Sequence, residues 1–220
     1  MHISQQLRRQ GFAFLPTLKP DLDTGDIIHS IGEPISLGGG EAIHQLRPTS
    51  KNKSTPNTYS GNYGLGDFPY HTDFAHWYLP PRYFVLRCVI GDPTVKTTVI
   101  DSLSIINSDD ENILSRAIVR SRRPTNGKFR FLRLIQYTDD GERIVRWDEK
   151  FIQPASDAGI EGFTHLKNKI MIEKHDQFCL SNKGDTLIID NWRSIHGRSS
   201  VSNPDSHRVI DRVYLKSVRQ

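Results

Sequence analysis

Cysteine is nearly missing from this chain. Only Cys88 and Cys179 occur, each inside an apolar run. Two thiols so placed cannot be the framework of a small disulfide scaffold, and they read as free buried thiols of a reducing cytoplasm. Long hydrophobic runs are also missing: nothing approaches the ~18 consecutive apolar residues of a membrane span. The start, Met1-His2-Ile3-Ser4-Gln5-Gln6, lacks the apolar core of a signal peptide. There is no internal repeat and no linker-like stretch, so residues 1–220 read as a single domain. At this length a chain buries roughly 70% of its unfolded surface and needs no covalent staples. A concentrated patch of one charge sign is absent as well. The net charge is +4 and the pI about 9.1, but the basic residues are scattered. Their tightest run, Arg120-Ser121-Arg122-Arg123, reads as a solvated turn, which argues against a nucleic-acid partner.

What is present is mostly short strands. Ile3 to Arg9 predicts a short helix ended by Gly11, and Phe12-Ala13-Phe14-Leu15 a strand stopped by Pro16. Asp21 to Ile31 is loosely helical, with Gly32 as its stop. Ala42 to Arg47 alternates apolar and polar, the mark of a half-buried strand. Ser50 to Gly66 is a loop by composition. After the break at Pro80-Pro81, Tyr83 to Ile90 is a strongly apolar strand and Val95 to Asp101 the next. Glu111 to Val119 has helical spacing. Phe129 to Ile135 and Arg143 to Trp147 alternate, and the Asp139-Asp140-Gly141 turn between them predicts a hairpin. Ala158 to Glu173 is the clearest helix, with Ile160, Phe163, Leu166, Ile170 and Met171 near one stripe. Phe178 to Leu180, Asp185 to Asp190 and Arg208 to Leu215 close the chain as strands. The expected fold is mainly β: a double-stranded β-helix (jelly roll) with a few flanking helices.

The chemistry centres on Tyr70-His71-Thr72-Asp73. In an extended segment His71 and Asp73 leave the same face, so an imidazole and a carboxylate converge on one ion. A second histidine, His196, stands far downstream in Asp190-Asn191-Trp192-Arg193-Ser194-Ile195-His196-Gly197-Arg198. Two histidines and one carboxylate with open positions form the ligand set of non-haem iron(II) oxygenases. A His-x-Asp triplet alone is weak, because chance produces it easily. The ordered set carries more: His71-Thr72-Asp73, an apolar strand, Thr98-Val99-Ile100-Asp101, Gly184 to Arg193, His196-Gly197-Arg198 and Arg208. In this order the chain resembles the iron(II)/2-oxoglutarate dioxygenases of the taurine dioxygenase and clavaminate synthase-like superfamily. The resemblance runs from about Gly11 to the C-terminus and is strongest over 70–101 and 184–215.

That resemblance implies His71, Asp73 and His196 as iron ligands, Thr98 as a contact to 2-oxoglutarate and Arg208 as the grip on its distal carboxylate. An arginine suits that grip because its rigid fork pairs both carboxylate oxygens. Arg212 shares the strand face of Arg208 and is implied as a second anion contact. The cofactors implied are Fe(II), 2-oxoglutarate as cosubstrate, and dioxygen, with succinate and carbon dioxide released. A retained Asp73 favours hydroxylation over halogenation. Phe74 departs from the glycine that the family's pattern often has after His-x-Asp. The chain is short for the family, with little left for a large lid between Asp101 and Gly184; the site is then open, or completed by a partner chain in a homo-oligomer. The substrate implied is small and anionic or amino-acid-like, and the location cytoplasmic. The alternative is a catalytically silent metal- and 2-oxoglutarate-binding module or sensor; a zinc hydrolase and a nucleic-acid demethylase are further rivals. Arg193 and Arg198 are expected to hold their loop. Asn62, Tyr63, Tyr70, His76 and Trp77 are weaker candidates for the substrate side, and His207 alternates to the other face.

Overall fold

In the computed structural model, residues 2–124, 127–172, 175–203 and 205–219 are described. Two antiparallel sheets pack face to face. The larger orders Phe12–Leu15, Thr186–Asp190, Tyr83–Ile90, Val209–Val218 and Gly32–Ile35, with Ile43–Leu46 also pairing Val209–Val218. The smaller orders Asp176–Cys179, Lys96–Asp101, Ser194–Arg198 and Phe68–His71. The jelly-roll expectation holds: the chain crosses between sheets, so that strands distant in sequence become neighbours.

Alternation along these strands sorts side chains into three cores. Between the sheets lie Phe84, Leu86, Val99, Leu187, Ile210 and Tyr214. Behind the larger sheet, the helices Ile3–Gln10 and Thr24–Ile31 press Leu7, Ile27, Ile28 and Ile31 onto Val85, Ile188 and Val213. Behind the smaller sheet, Ile100 and Ile195 meet Leu114, Leu132, Trp147 and Leu166, contributed by the segment inserted between Asp101 and Asp176. Burying each such Leu or Ile contributes roughly 1.5–3 kcal/mol.

Several elements differ from the sequence reading. The helix expected over Glu111–Val119 spans Ser108–Arg116. Asn107 and Asp110 form a capping box that starts it earlier, and β-branched Ile118 and Val119 pass into a strand paired with Phe131–Arg133 and Ile152–Pro154. The hairpin around Asp139-Asp140-Gly141 exists, but its first strand is Ile135–Tyr137. The long helix spans Asp157–Ile172, and the expected end at Glu173 lies outside the described residues. Its buried stripe is Gly159, Gly162, Leu166 and Ile170, while Ile160 and Met171 are exposed. A Cβ on Gly162 would sit 2.5 Å from the Ala117 Cβ, so glycine sets the closeness of that packing. The loop expected over Ser50–Gly66 contains the short helix Tyr59–Tyr63, capped by the Thr58 side chain. Cys88 is buried and Cys179 half-buried, both free. No helix among the described residues is long and apolar enough to cross a membrane.

Candidate metal centre and its cavity

Strand pairing brings the two histidines together. Phe68–His71 lies antiparallel to Ser194–Arg198 with His71 directly opposite His196. Their ring centroids are 4.3 Å apart. Asp73, just past the strand end, places Oδ1 3.4 Å from His71 Nε2 and 3.8 Å from His196 Nε2. All three residues are buried, and their candidate ligand atoms lie within 4.8 Å of one another. Ligands about 2.1 Å from one ion and at right angles stand about 3 Å apart. The trio would draw in by up to about 1.8 Å to form one face of an octahedral site.

The protonation pattern also suits a metal. His71 Nδ1 donates to the Pro69 carbonyl at 2.8 Å, which orients the ring with Nε2 toward Asp73 Oδ1. Burial, and then the adjacent His71, push the His196 imidazole down to about 3, so it is neutral at ordinary pH. Burial would raise the Asp73 carboxyl. The hydrogen bond with His71 and the nearby Arg212 and His196 outweigh it and hold the group well below the usual carboxylate range. Tyr214 donates its hydroxyl to Asp73 Oδ2 at 2.6 Å, and Arg212 Nη1 lies 3.7 Å from the same oxygen. Oδ1 is thus left for an ion.

The backbone around Asp73 is pinned. Asn191 Oδ1 accepts the Asp73 N–H at 2.7 Å, and Asn191 Nδ2 donates to the carbonyls of Asp73 and Pro81, each at 2.9 Å. Phe74 then takes a left-handed φ of 55°. That conformation costs a residue with a Cβ roughly 1–2 kcal/mol, which accounts for glycine in the family's pattern at this place. Here the ring is retained and packs against Trp77 and Tyr214, with centroids 4.5 and 5.3 Å away. Next along the chain, the fully buried Arg146 donates to the carbonyls of Trp77 at 2.6 Å and Tyr78 at 2.5 Å.

The cluster of His71, Asp73 and His196 opens into a cavity of about 1070 Å³. One wall is the inner face of Val209–Val218 and the residue before it: Arg208, Ile210, Arg212 and Tyr214 alternate into the space. Among the described residues, the buried Nε atoms of Arg208 and Arg212 have no hydrogen-bond partners, so both guanidinium groups hold spare donors lining the cavity. Thr98 does not share this wall. It is Thr97 that lines the cavity. Thr97 lies on the face of Val99, which is part of the core between the sheets, whereas Thr98 lies on the face of Ile100, which is part of the core behind them. The expectation for Thr98 is thus displaced by one residue, enough to change faces.

Arg193 and Arg198 hold loops, as expected. Arg193 donates to the Asp101 carboxylate at 2.7 and 2.6 Å and to the Arg8 carbonyl at 2.7 Å. Arg198 donates to the carbonyls of Gly64 and Gly66 and covers the Phe68 ring. Of the weaker candidates, Asn62 and His76 line the cavity; Tyr63, Tyr70 and Trp77 are not among its lining residues. His207 is exposed. Sequence reasoning missed Tyr59, stacked on His71 with centroids 4.0 Å apart, and the cavity residues Asp148 and Phe151. It also missed Tyr214, although its i+2 relation to Arg212 was a usable signal.

The family model described as "Taurine catabolism dioxygenase TauD, TfdA family" matches residues 2–214. No curated protein matches the chain. Among solved structures, an asparagine oxygenase in complex with Fe(II), 2S,3S-3-hydroxyasparagine and succinate is 16% identical with a TM-score of 0.68, covering 96% of this chain and 77% of that one. PvcB from Pseudomonas aeruginosa is 18% identical with a TM-score of 0.69, covering 96% and 78%. The non-heme iron oxygenase OrfP, in complex with Fe and alpha-ketoglutaric acid, is 23% identical with a TM-score of 0.66, covering 84% of this chain and 61% of its own length. The shared fold is the double-sheet architecture described above.

Proposed function

The chain belongs to the TauD/TfdA family of dioxygenases, and is an iron(II)- and 2-oxoglutarate-dependent oxygenase; we propose that His71, Asp73 and His196 hold its iron and that it hydroxylates an unactivated C–H bond of a small amino-acid-like molecule. The observation that carries this reading is the convergence of three buried ligand atoms within 4.8 Å, at the edge of a cavity walled by two arginines with unpartnered nitrogens. When bound, iron(II) with 2-oxoglutarate and dioxygen supplies the oxidising power, and succinate and carbon dioxide are released.

The protein's own part is placement. Tyr214 and Arg212 occupy Asp73 Oδ2 and so direct Oδ1 to the ion. Arg208 receives the distal carboxylate of 2-oxoglutarate, with Thr97 in place of Thr98 beside it and Arg212 as the second anion contact. The inter-sheet core beneath the cluster, which includes Phe84 and Val99, keeps bulk water from the reacting end. For the substrate class, support comes from two relatives: one structure holds hydroxyasparagine, and an OrfP structure holds (3S)-hydroxy-L-Arg, each with succinate. The family match from residue 2 to 214 supports one domain, and the two free thiols fit a cytoplasmic enzyme.

The test is succinate release from protein given iron(II), ascorbate, 2-oxoglutarate and a panel of amino acids. Substrate-dependent succinate is the expected result. Tight 2-oxoglutarate binding with no turnover across the panel would favour the silent sensor instead.

A further inference from the structure

We propose that the mouth of the cavity is a phosphate-binding site, at which Arg47, Arg122, Arg123 and Lys150 receive a phosphate ester carried by the substrate. The inference rests on the oxygenase reading and narrows its substrate class.

The charge balance of the cavity points there. Seven Lys and Arg residues and three Asp and Glu residues line it, an excess of four cations. The whole chain has a net charge of +4. The positive excess of the protein is therefore the excess of this one lining, and the rest of the molecule is balanced. Bound iron(II) and 2-oxoglutarate, a dication and a dianion, cancel each other, so the excess persists with the cosubstrate in place. A cleft lined by one sign of charge focuses its field and gathers ions of the other sign. A free amino acid is neutral overall and leaves that field unanswered. A phosphate ester brings roughly two negative charges and oxygens that match guanidinium forks.

The inner cations are already assigned: Arg208 and Arg212 to the cosubstrate, and Arg198 to the carbonyls of Gly64 and Gly66. Arg47, Arg122, Arg123 and Lys150 are the exposed ones, which places them at the rim. Among the described residues, none of the four pairs with a carboxylate. The lining acids are engaged elsewhere. Asp73 belongs to the metal cluster, Glu149 pairs with Lys167 at 2.5 Å, and Asp148 Oδ1 accepts the backbone N–H groups of Lys150 and Phe151. Arg122 is held in place by neutral acceptors alone. Its Nε and Nη2 donate to the Glu149 carbonyl at 3.3 and 3.1 Å, and its Nη1 to the Gln153 side chain at 3.0 Å. The guanidinium is thus oriented while its charge stays uncompensated.

A buried hydroxyl stands beside these cations. Ser121 is 3% exposed and lines the cavity, and its Oγ has no hydrogen-bond partner among the described residues. The run Arg120-Ser121-Arg122-Arg123, read from sequence as a solvated turn, thus gives three of its four residues to the cavity. The inserted segment and the Ser50–Gly66 loop supply this substrate wall, with Tyr59, Asp148 and Phe151 below the rim; the cosubstrate arginines lie on another element, Val209–Val218 and the residue before it. At about 1070 Å³ the cavity exceeds the roughly 300–1,000 Å³ of a site for one drug-sized ligand, which leaves room for a cosubstrate and a phosphorylated substrate together. The cations gather on one opening and do not form the long stripe that tracks a nucleic-acid backbone.

The experiment uses the full chain loaded with nickel(II), which does not support turnover, and 2-oxoglutarate. Calorimetry measures O-phospho-L-serine and AMP, which present the phosphate on an amino acid and on a nucleoside, against L-serine and adenosine. At least one ester is expected to bind about tenfold or more tighter than its phosphate-free control. R122Q/R123Q is expected to weaken that ester roughly 30-fold or more, with 2-oxoglutarate affinity unchanged. K150Q, a milder change at an exposed side chain, should weaken it about fivefold and decides if the double variant does not fold. The proposal is overturned if neither ester exceeds its control, or if the folded variants keep full affinity. A single-stranded oligonucleotide that binds more than about tenfold tighter than AMP would also overturn it, by assigning the mouth to nucleic acid. Failure to take up nickel(II) or 2-oxoglutarate would instead remove the oxygenase reading; the same ester titrations of the metal-free chain and of R122Q/R123Q then still decide on the mouth.

Discussion

The proposed metal corner and the proposed substrate wall of the same cavity are built in different ways. At the metal corner, His71 and His196 are fixed by the register of two paired strands, and Asp73 by three hydrogen bonds to and from Asn191 and Tyr214. At the substrate wall, Tyr59 comes from a five-residue helix tied down by Thr58 and Arg198, and Asp148 and Phe151 from a turn in the inserted segment. The first is regular backbone geometry that tolerates few alternatives. The second is irregular backbone, where side chains change without disturbing a sheet. One part of the fold is suited to keeping a reaction constant, and the other to changing what it acts on.

Substitutions can break or sharpen this contrast. With Arg208 gripping the cosubstrate as proposed, Arg208→Ala removes one partner of that charge pair. The KM for 2-oxoglutarate should rise roughly 100-fold in steady-state assays with substrate KM little changed. An equal loss on both would mean that the two walls are not separate. Asn191→Ala leaves all three ligands in place but frees the Asp73 backbone. Metal affinity should fall roughly 30-fold by competition with a chelator, as expected for a group that orients a ligand; unchanged affinity would show that the strand ends suffice. Thr97→Val should raise the KM for 2-oxoglutarate about fivefold, the worth of one neutral hydrogen bond, whereas Thr98→Val should leave it unaltered. The reverse pattern would restore Thr98.

A last substitution, remote from the cavity, serves as a control. Burial would raise the Asp110 carboxyl, but the Lys169 ammonium, the Asn107 N–H and His165 hold it at about 2, below its ordinary 3.8. A depressed carboxyl stabilises the fold fully above its unfolded value, and that stability is lost as pH falls toward the folded one. Asp110→Asn should cost about 2 kcal/mol at neutral pH and flatten the stability curve between pH 4 and 2 in urea titrations, with metal affinity untouched. A parallel acid limb in wild type and variant would refute the assignment.

The same contrast explains what was legible in the sequence. His71 and Asp73 stood out because i,i+2 spacing is a local pattern; His196 and Arg208 came only with the family resemblance, and Arg212 from sharing a strand face with Arg208. Thr98, opposite Gly197, lies off the cavity wall, because strand alternation turns its neighbour Thr97, opposite Arg198, toward the cavity instead. Phe12–Leu15 and Tyr83–Ile90 were read to the residue, since apolar runs bounded by glycine and proline leave little choice. The insertion was read less well. Its strands are three or four residues long and take their positions from partners far along the chain. Asp148 carried no signal at all: its burial follows from the antiparallel bridge to His71, a contact that no local pattern encodes.

The central claim is tested most directly by anaerobic titration of iron(II) into the protein in the presence of 2-oxoglutarate, followed by the visible absorption of the iron–cosubstrate chelate. Wild type should saturate at one ion per chain, and His196→Ala, still folded by circular dichroism, should show no such absorption. Saturation of the variant at one ion with undiminished affinity would contradict the assignment of His71, Asp73 and His196 as a single metal centre.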